Sequence, residues 1–87
     1  MMTRTLASSR LRMLAKVCTE EAQQWPRHHS ARSNLTRAAL QLATLARKVA
    51  HPSSDVDEAV IETYLVESSV LVARLAAARA FKEKPWS

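Results

Sequence analysis

The sequence predicts an all-α single domain spanning residues 1–87, and two observations lead to this fold class. Glycine is absent, and three prolines are the strongest chain-breaking residues. Between the prolines, apolar residues recur every three or four positions, which is the period of an amphipathic helix. We therefore expect helices at about residues 5–24, 34–50 and 54–83. They would form an N-terminal amphipathic helix and a long antiparallel hairpin, assembled as a homo-oligomer.

The third predicted helix is the element around which the others are organised. Ser54 can cap its start, and acidic residues follow in the first turn, where the helix dipole favours negative charge. Two neighbouring apolar stripes run along it: Val56, Val60, Tyr64, Leu71, Leu75 and Ala78, and beside them Ile61, Leu65, Val72, Ala76 and Ala80. A helix that is apolar over so much of its circumference is expected to be covered on several sides.

The distal part of this helix is expected to form an oligomer interface. The second helix is shorter by about ten residues, or ~15 Å, and cannot cover it. The first helix or another copy of the chain must do so. The interface is predicted at Leu71, Leu75, Ala78 and Phe81.

The first helix is amphipathic and basic. Its apolar stripe, with Leu6, Met13 and Val17 beside it, consists of Leu11, Leu14, Cys18, Ala22 and Trp25. Arginines and a lysine occupy most of the remaining surface. Such a helix packs on its own domain or lies on a membrane or nucleic acid. Cys18 lies on the apolar face, which predicts a buried, unreactive thiol. Pro26 is expected to end the helix.

The second helix carries a heptad seam, at spacings of three and four residues: Leu35, Ala38, Leu42, Leu45 and Val49. Ser33 or Asn34 is expected to cap it, and His51 before Pro52 is expected to end it. The connection to the third helix is short, which indicates antiparallel neighbours. The second and third helices are therefore predicted to form a hairpin with its tip at Pro52.

The positive charge is concentrated in the first part of the chain. Residues 1–51 carry nine Lys or Arg against two Glu, whereas residues 52–87 carry four against six acids. This asymmetry indicates an anionic partner or self-association that pairs the two parts. A phosphate site is predicted where the first helix, a basic connection and the start of the second helix meet. Its residues would be Arg27, His28, His29, Arg32 and Arg37, with Arg10 or Arg12; the alternative is a solvated connection.

Catalytic, metal and cofactor sites are not expected. Without glycine, the chain lacks phosphate-binding loops, dinucleotide-binding loops and nucleophile elbows. A single cysteine and three histidines do not form a metal-binding set. Glu67, in the middle of the apolar third helix, is predicted to be partly buried with an arginine partner. No apolar run reaches the length of about 20 residues that a membrane span needs.

Residues 35–79 carry a family resemblance. Leu45-Ala46, Pro52-x-Ser54, Leu65-x-Glu67 and the alanine-rich run ending in Arg79 resemble the helical hairpin of small phage anti-CBASS and anti-Thoeris proteins. The family usually carries bulky aromatic residues on the last helix, where residues 70–72 here are aliphatic. The resemblance implies an oligomer that sequesters a cyclic nucleotide messenger in the cytoplasm of an infected bacterium.

Three functions remain open on the sequence, and all of them are binding functions. The first is sequestration of a cyclic nucleotide by the basic residues. The second is an anti-CRISPR-type inhibitor whose helical face blocks a bacterial defence protein. The third is direct nucleic-acid binding, for which affinity would fall steeply with salt.

Overall fold

A computed structural model describes residues 3–53 and 55–82 of the 87-residue chain. Three α-helices account for most of them: α1 (Arg4–Ala22), α2 (Ser30–Ala50) and α3 (Glu58–Lys82). These described residues contain no strand. The prediction of an all-α chain with three helices is therefore confirmed.

α1 starts from a side-chain cap and ends earlier than predicted. The Thr3 hydroxyl accepts a hydrogen bond from the Leu6 amide at 3.1 Å, which satisfies one of the free donors at the helix start. The helix ends at Ala22 rather than near residue 24. The chain then tightens, because the Trp25 amide bonds to the carbonyl three residues earlier, that of Ala22. Pro26 follows this turn and does not itself end the helix.

α2 begins at Ser30, four residues before the predicted start, and the predicted caps Ser33 and Asn34 lie inside it. The reason is a histidine cap. Nδ1 of His29 accepts a hydrogen bond from the Ala31 amide at 3.0 Å, a role that Ser, Thr, Asp or Asn usually fills. The predicted end is confirmed: Ala50 is the last helical residue, and His51 is extended.

α3 begins at Glu58 rather than at residue 54. Oδ1 of Asp57 accepts a hydrogen bond from the Ala59 amide at 2.9 Å, and the Asp57 carbonyl accepts from Val60 and Ile61. The predicted cap Ser54 and the predicted last residue 83 lie outside the described residues. An acidic first turn is present, as expected, in the form of Glu58.

α1 and α2 form the best-packed pair of helices, and they are antiparallel. The Ser8 hydroxyl donates to the Ala46 carbonyl, and Arg4 donates to the carbonyl of His51, so the start of α1 lies beside the end of α2. The most deeply buried large side chains belong to these two helices: Leu11, Cys18, Leu35, Leu42 and Val49. The burial predicted for Cys18 is confirmed.

The heptad seam of α2 packs chiefly on α1. α2 contacts α1 far more extensively than it contacts α3. A seam of alternating Leu and Ala specifies a close helical neighbour but not which helix fills that role. The hairpin between α2 and α3 therefore stays a prediction.

α3 lies against the α1–α2 pair with one side only. Ile61 is the buried apolar side chain that its described residues contribute to the core. The half-buried side chains packed against the core are Tyr64, Leu65, Leu71, Val72 and Leu75. Val60, Val66 and Val70 are exposed. Within one chain, the expectation that α3 is covered on several sides is wrong, because α1 and α2 bury their apolar stripes mainly against each other.

Candidate anion-binding site

The turn between α1 and α2 uses two of the predicted site residues for its own structure. The rings of His29 and the buried Trp25 lie 4.5 Å apart between centroids, tilted by 42°. Nη1 of Arg32 donates to the Trp25 carbonyl at 3.3 Å. His29 also caps α2, so its Nδ1 must be unprotonated in this arrangement. These contacts position His29 and Arg32 without any ligand.

The other predicted site residues are divided between this turn and the two helices. Arg27 and His28 are exposed in the connection, and Arg37 is exposed on α2. Arg10 and Arg12 lie in the first half of α1. Ten residues separate Arg12 from the last residue of α1, which corresponds to about 15 Å along the helix. The structure therefore leaves the predicted basic residues at two separate places.

A groove at the opposite end of the α1–α2 pair contains one of these residues, Arg12. Its volume is about 370 Å³, and it is lined by Arg4, Thr5, Ser8, Ser9, Arg12, Met13 and Ala50. These described lining residues carry two guanidinium groups and three hydroxyl groups, and none of them is acidic. Most of the lining comes from one face of α1, because residues three or four apart are neighbours on a helix. We refer to it as the N-terminal groove.

The Arg4 guanidinium is held in place by the end of α2. Its Nη1 donates to the carbonyls of Pro52 at 2.7 Å and His51 at 3.1 Å. An arginine presents five N–H donors, so three remain on Nε and Nη2. Sequence reasoning placed Arg4 only on the basic side of α1. Its partners, His51 and Pro52, lie 47 and 48 positions further along the chain, and helical spacing does not reveal contacts at such separations.

The hydroxyls of the groove differ in their surroundings. Ser8 is buried and donates to the Ala46 carbonyl at 3.1 Å, which joins the floor of the groove to α2. Thr5, Ser9 and Arg12 are exposed. The groove lining thus combines exposed donors on Thr5, Ser9 and Arg12 with Arg4, which is bonded to the end of α2.

Among the described acidic residues, the buried one is Glu21 and not Glu67. Glu67 is exposed, whereas Glu21 accepts two hydrogen bonds from Arg79, at 2.9 and 3.0 Å. Trp25 Nε1 donates to the same carboxylate at 3.1 Å. The hydrogen bonds from Arg79 are the largest cause that lowers the Glu21 pKa, and they outweigh desolvation, which raises it. The signal in the sequence is that Glu21 falls between Cys18 and Trp25 on the apolar stripe.

The Cys18 thiol is buried, and this burial raises its pKa. No group of three or more His, Cys, Asp or Glu within residues 3–53 and 55–82 is placed to hold a metal ion. Among the helices of these segments, none combines the length and apolar character needed to cross a bilayer.

Comparisons with protein-family models, curated proteins and solved structures give no match to this chain.

Proposed function

We propose that this chain is a non-catalytic binding protein whose ligand carries phosphate, and that the N-terminal groove holds the phosphate. The observation that supports this most directly is the chemistry of the lining. Two arginines and three residues with hydroxyl groups line a common space of about 370 Å³, and the lining residues include no carboxylate to compete for the arginines. Planar guanidinium groups bind phosphate oxygens with pairs of parallel, charge-assisted hydrogen bonds.

The size and the apolar side of the groove favour a nucleotide over free phosphate. Small-molecule sites occupy roughly 300–1,000 Å³, and this groove lies at the lower end of that range. Met13 lines the groove and is 67% exposed, which provides an apolar, polarizable surface for a sugar or base. The positive charge of residues 1–51 would raise the local concentration of anions.

The role we propose is sequestration of a cyclic nucleotide messenger by stoichiometric binding. Such a role needs affinity and protein abundance, and no bond has to be broken. The resemblance of residues 35–79 to phage proteins that sequester these messengers supports this ligand class. The corresponding place of action is the cytoplasm of an infected bacterium.

Titration calorimetry with a cyclic dinucleotide, a mononucleotide and inorganic phosphate tests the site. Arg12→Gln removes one groove charge, and Arg10→Gln removes the same charge from the same helix outside the groove lining. We expect Arg12→Gln to weaken nucleotide binding about tenfold or more, as a lost charge-assisted hydrogen bond of about 1.5–3 kcal/mol implies. Arg10→Gln should bind within about twofold of wild type, because Arg10 is exposed and does not line the groove, so that its charge acts only through screened attraction.

Arg27→Gln tests the connection between α1 and α2 as the competing anion site. Loss of binding in Arg27→Gln with full binding in Arg12→Gln would move the site to that connection. Equal losses in all three variants, with affinity for DNA falling steeply with salt, would identify a nucleic-acid-binding protein instead. If neither nucleotide nor nucleic acid binds, the proposal is overturned, and inhibition of a bacterial defence protein becomes the function to test.

A further inference from the structure

The outward side of α3 carries a continuous apolar seam. Its residues are exposed, uncharged and spaced alternately by four and three positions: Ala59, Thr63, Val66, Val70, Ala73, Ala77 and Ala80. We call this set the outer seam. It lies opposite the side that faces the core, where Ile61 and Ser68 are buried and Leu65, Val72 and Leu75 are half-buried.

We propose that the outer seam is the surface through which two copies of this chain pack antiparallel, about a two-fold axis near the middle of α3. The alternating spacing is that of a coiled-coil seam, which places knobs of one helix into holes of the other. From Ala59 to Ala80 the seam advances by 21 positions, or about 32 Å, which is three heptads. This proposal concerns a different surface from the N-terminal groove and does not depend on the ligand.

The sizes of the side chains favour the antiparallel arrangement. In the register centred between Leu71 and Val72, Val70 of one copy faces Ala73 of the other. In the same register Val66 faces Ala77. Each layer then combines one branched and one small side chain, so that the layers have similar volumes. A parallel pair would place Val66 on Val66 and Ala73 on Ala73, so that the branched side chains meet in neighbouring layers and the last three layers contain only alanine, which packs less well.

The charges beside the seam favour the same arrangement. Glu67 and Arg74 flank it on one side, seven residues apart, and both are exposed. The ion pair of the described chain joins Arg79 to Glu21, and neither Glu67 nor Arg74 takes part in one within those residues. In the antiparallel register, Glu67 of each copy lies beside Arg74 of the other, which gives two symmetric pairs. A parallel register would instead place Glu67 beside the exposed Glu62 of the other copy, and two neighbouring acids cost affinity.

The exposed apolar side chains of the outer seam favour a second copy of this chain as the binding partner. Val66 is 62% exposed and Val70 is 42% exposed, on a helix of a small chain. Because a two-fold interface uses the same patch on both copies, the patch must complement itself in size and in charge. The outer seam meets both conditions.

The molar mass in solution tests the proposal. By sedimentation equilibrium at about 100 µM, wild type should have twice the 9.7 kDa mass of the chain. Val66→Glu should raise the dissociation constant about tenfold or more, because it buries a charge against Ala77 of the other copy in an apolar interface. Leu40→Glu is the matched control, since Leu40 is 65% exposed on α2, away from the seam. Circular dichroism should show unchanged helix content in both variants.

Charge reversal tests the direction of the helices. Glu67→Arg and Arg74→Glu should each weaken the dimer, and the double variant should restore it, because the pairs re-form with opposite signs. In a parallel dimer Glu67 would lie beside Glu62 of the other copy, so Glu67→Arg alone would strengthen the dimer, and that result would overturn the antiparallel arrangement. A wild-type mass of one chain, or a Val66→Glu dimer as strong as wild type, would overturn the outer seam as an interface.

Discussion

The Glu21 carboxylate joins the C-terminal ends of α1 and α3. It is 9% exposed as a residue, and its oxygens accept hydrogen bonds from Arg79 and Trp25. A buried charge with such partners is favourable, whereas the same charge without them would be costly. The partners lower the Glu21 pKa, so this pair makes the stability of the fold depend on pH.

We predict that Glu21→Gln destabilises the protein by about 1.5–3 kcal/mol at neutral pH, the range for a hydrogen bond to a charged group. The folded pKa of Glu21 is lowered below an unfolded value of about 4.3. The stability from ionised Glu21 is thus present above about pH 4.3 and is lost as pH falls through the folded pKa. Urea unfolding between neutral and acidic pH measures both effects.

The matched control is Glu20→Gln, since Glu20 is the exposed neighbour of Glu21. Its stability should stay within about 0.5 kcal/mol of wild type. The difference between wild type and Glu21→Gln should shrink as the pH falls. A difference that is constant with pH would show that the Glu21 charge does not stabilise the fold.

The start of α2 is determined by the His29 ring. The ring nitrogen replaces the usual hydroxyl or carboxylate cap and places the helix start at Ser30. The same ring contacts Trp25, so the cap and the packing of the turn are joined in one side chain.

We predict that His29→Ala lowers the free energy of unfolding by about 1 kcal/mol through loss of the cap, and by more if the Trp25 contact contributes. His29→Asp keeps an acceptor for the Ala31 amide and removes the ring. Comparison of the two variants by thermal unfolding therefore separates the cap from the ring contact. If His29→Asp is no more stable than His29→Ala, the cap does not hold the helix start.

We predict that substitution by glutamate has different effects on the two sides of α3. Leu75 was predicted to be an interface residue, and the structure places it half-buried against its own core. Leu75→Glu should therefore lower the stability of the fold by about 1–3 kcal/mol, because it brings a charge to the edge of the core. Val66→Glu, on the outer seam, should change stability less at a concentration where the chain is monomeric. Denaturant unfolding at low micromolar concentration measures this difference, and equal losses would contradict it.

In the whole molecule, the groove and the outer seam belong to different helices. The groove is built by α1 and the end of α2, and the seam by α3. Effects of substitutions that share no partners are usually additive. The two binding functions should therefore be separable.

We predict that Arg12→Gln keeps the wild-type mass and that Val66→Glu keeps one nucleotide site per chain with wild-type affinity. Sedimentation of the first variant and calorimetry of the second are the measurements. Loss of nucleotide binding in Val66→Glu, with its helix content intact, would mean that the ligand site needs two copies of the chain.

The sequence by itself determined the helices and several of their limits. Apolar spacing predicted all three helices, His51 before Pro52 predicted the end of α2, and the position of Cys18 predicted its burial. These features depend on backbone preferences and side chains within a few residues of each other. Even here, the start of α2 was predicted four residues late, because a histidine cap is unusual.

The tertiary structure decided which helices pack together and which polar groups meet. The pairing of α2 with α1, the burial of Glu21 beside Arg79 and the anchoring of Arg4 on Pro52 each join residues far apart in the chain. Helical period shows that a side chain lies on an apolar or a polar face, but it does not show which helix docks there. The predicted basic residues lie in two places for the same reason: Arg12 and Arg27 belong to one charged segment of the sequence, but Arg12 lies about 15 Å along α1 from the end of the helix that leads to Arg27.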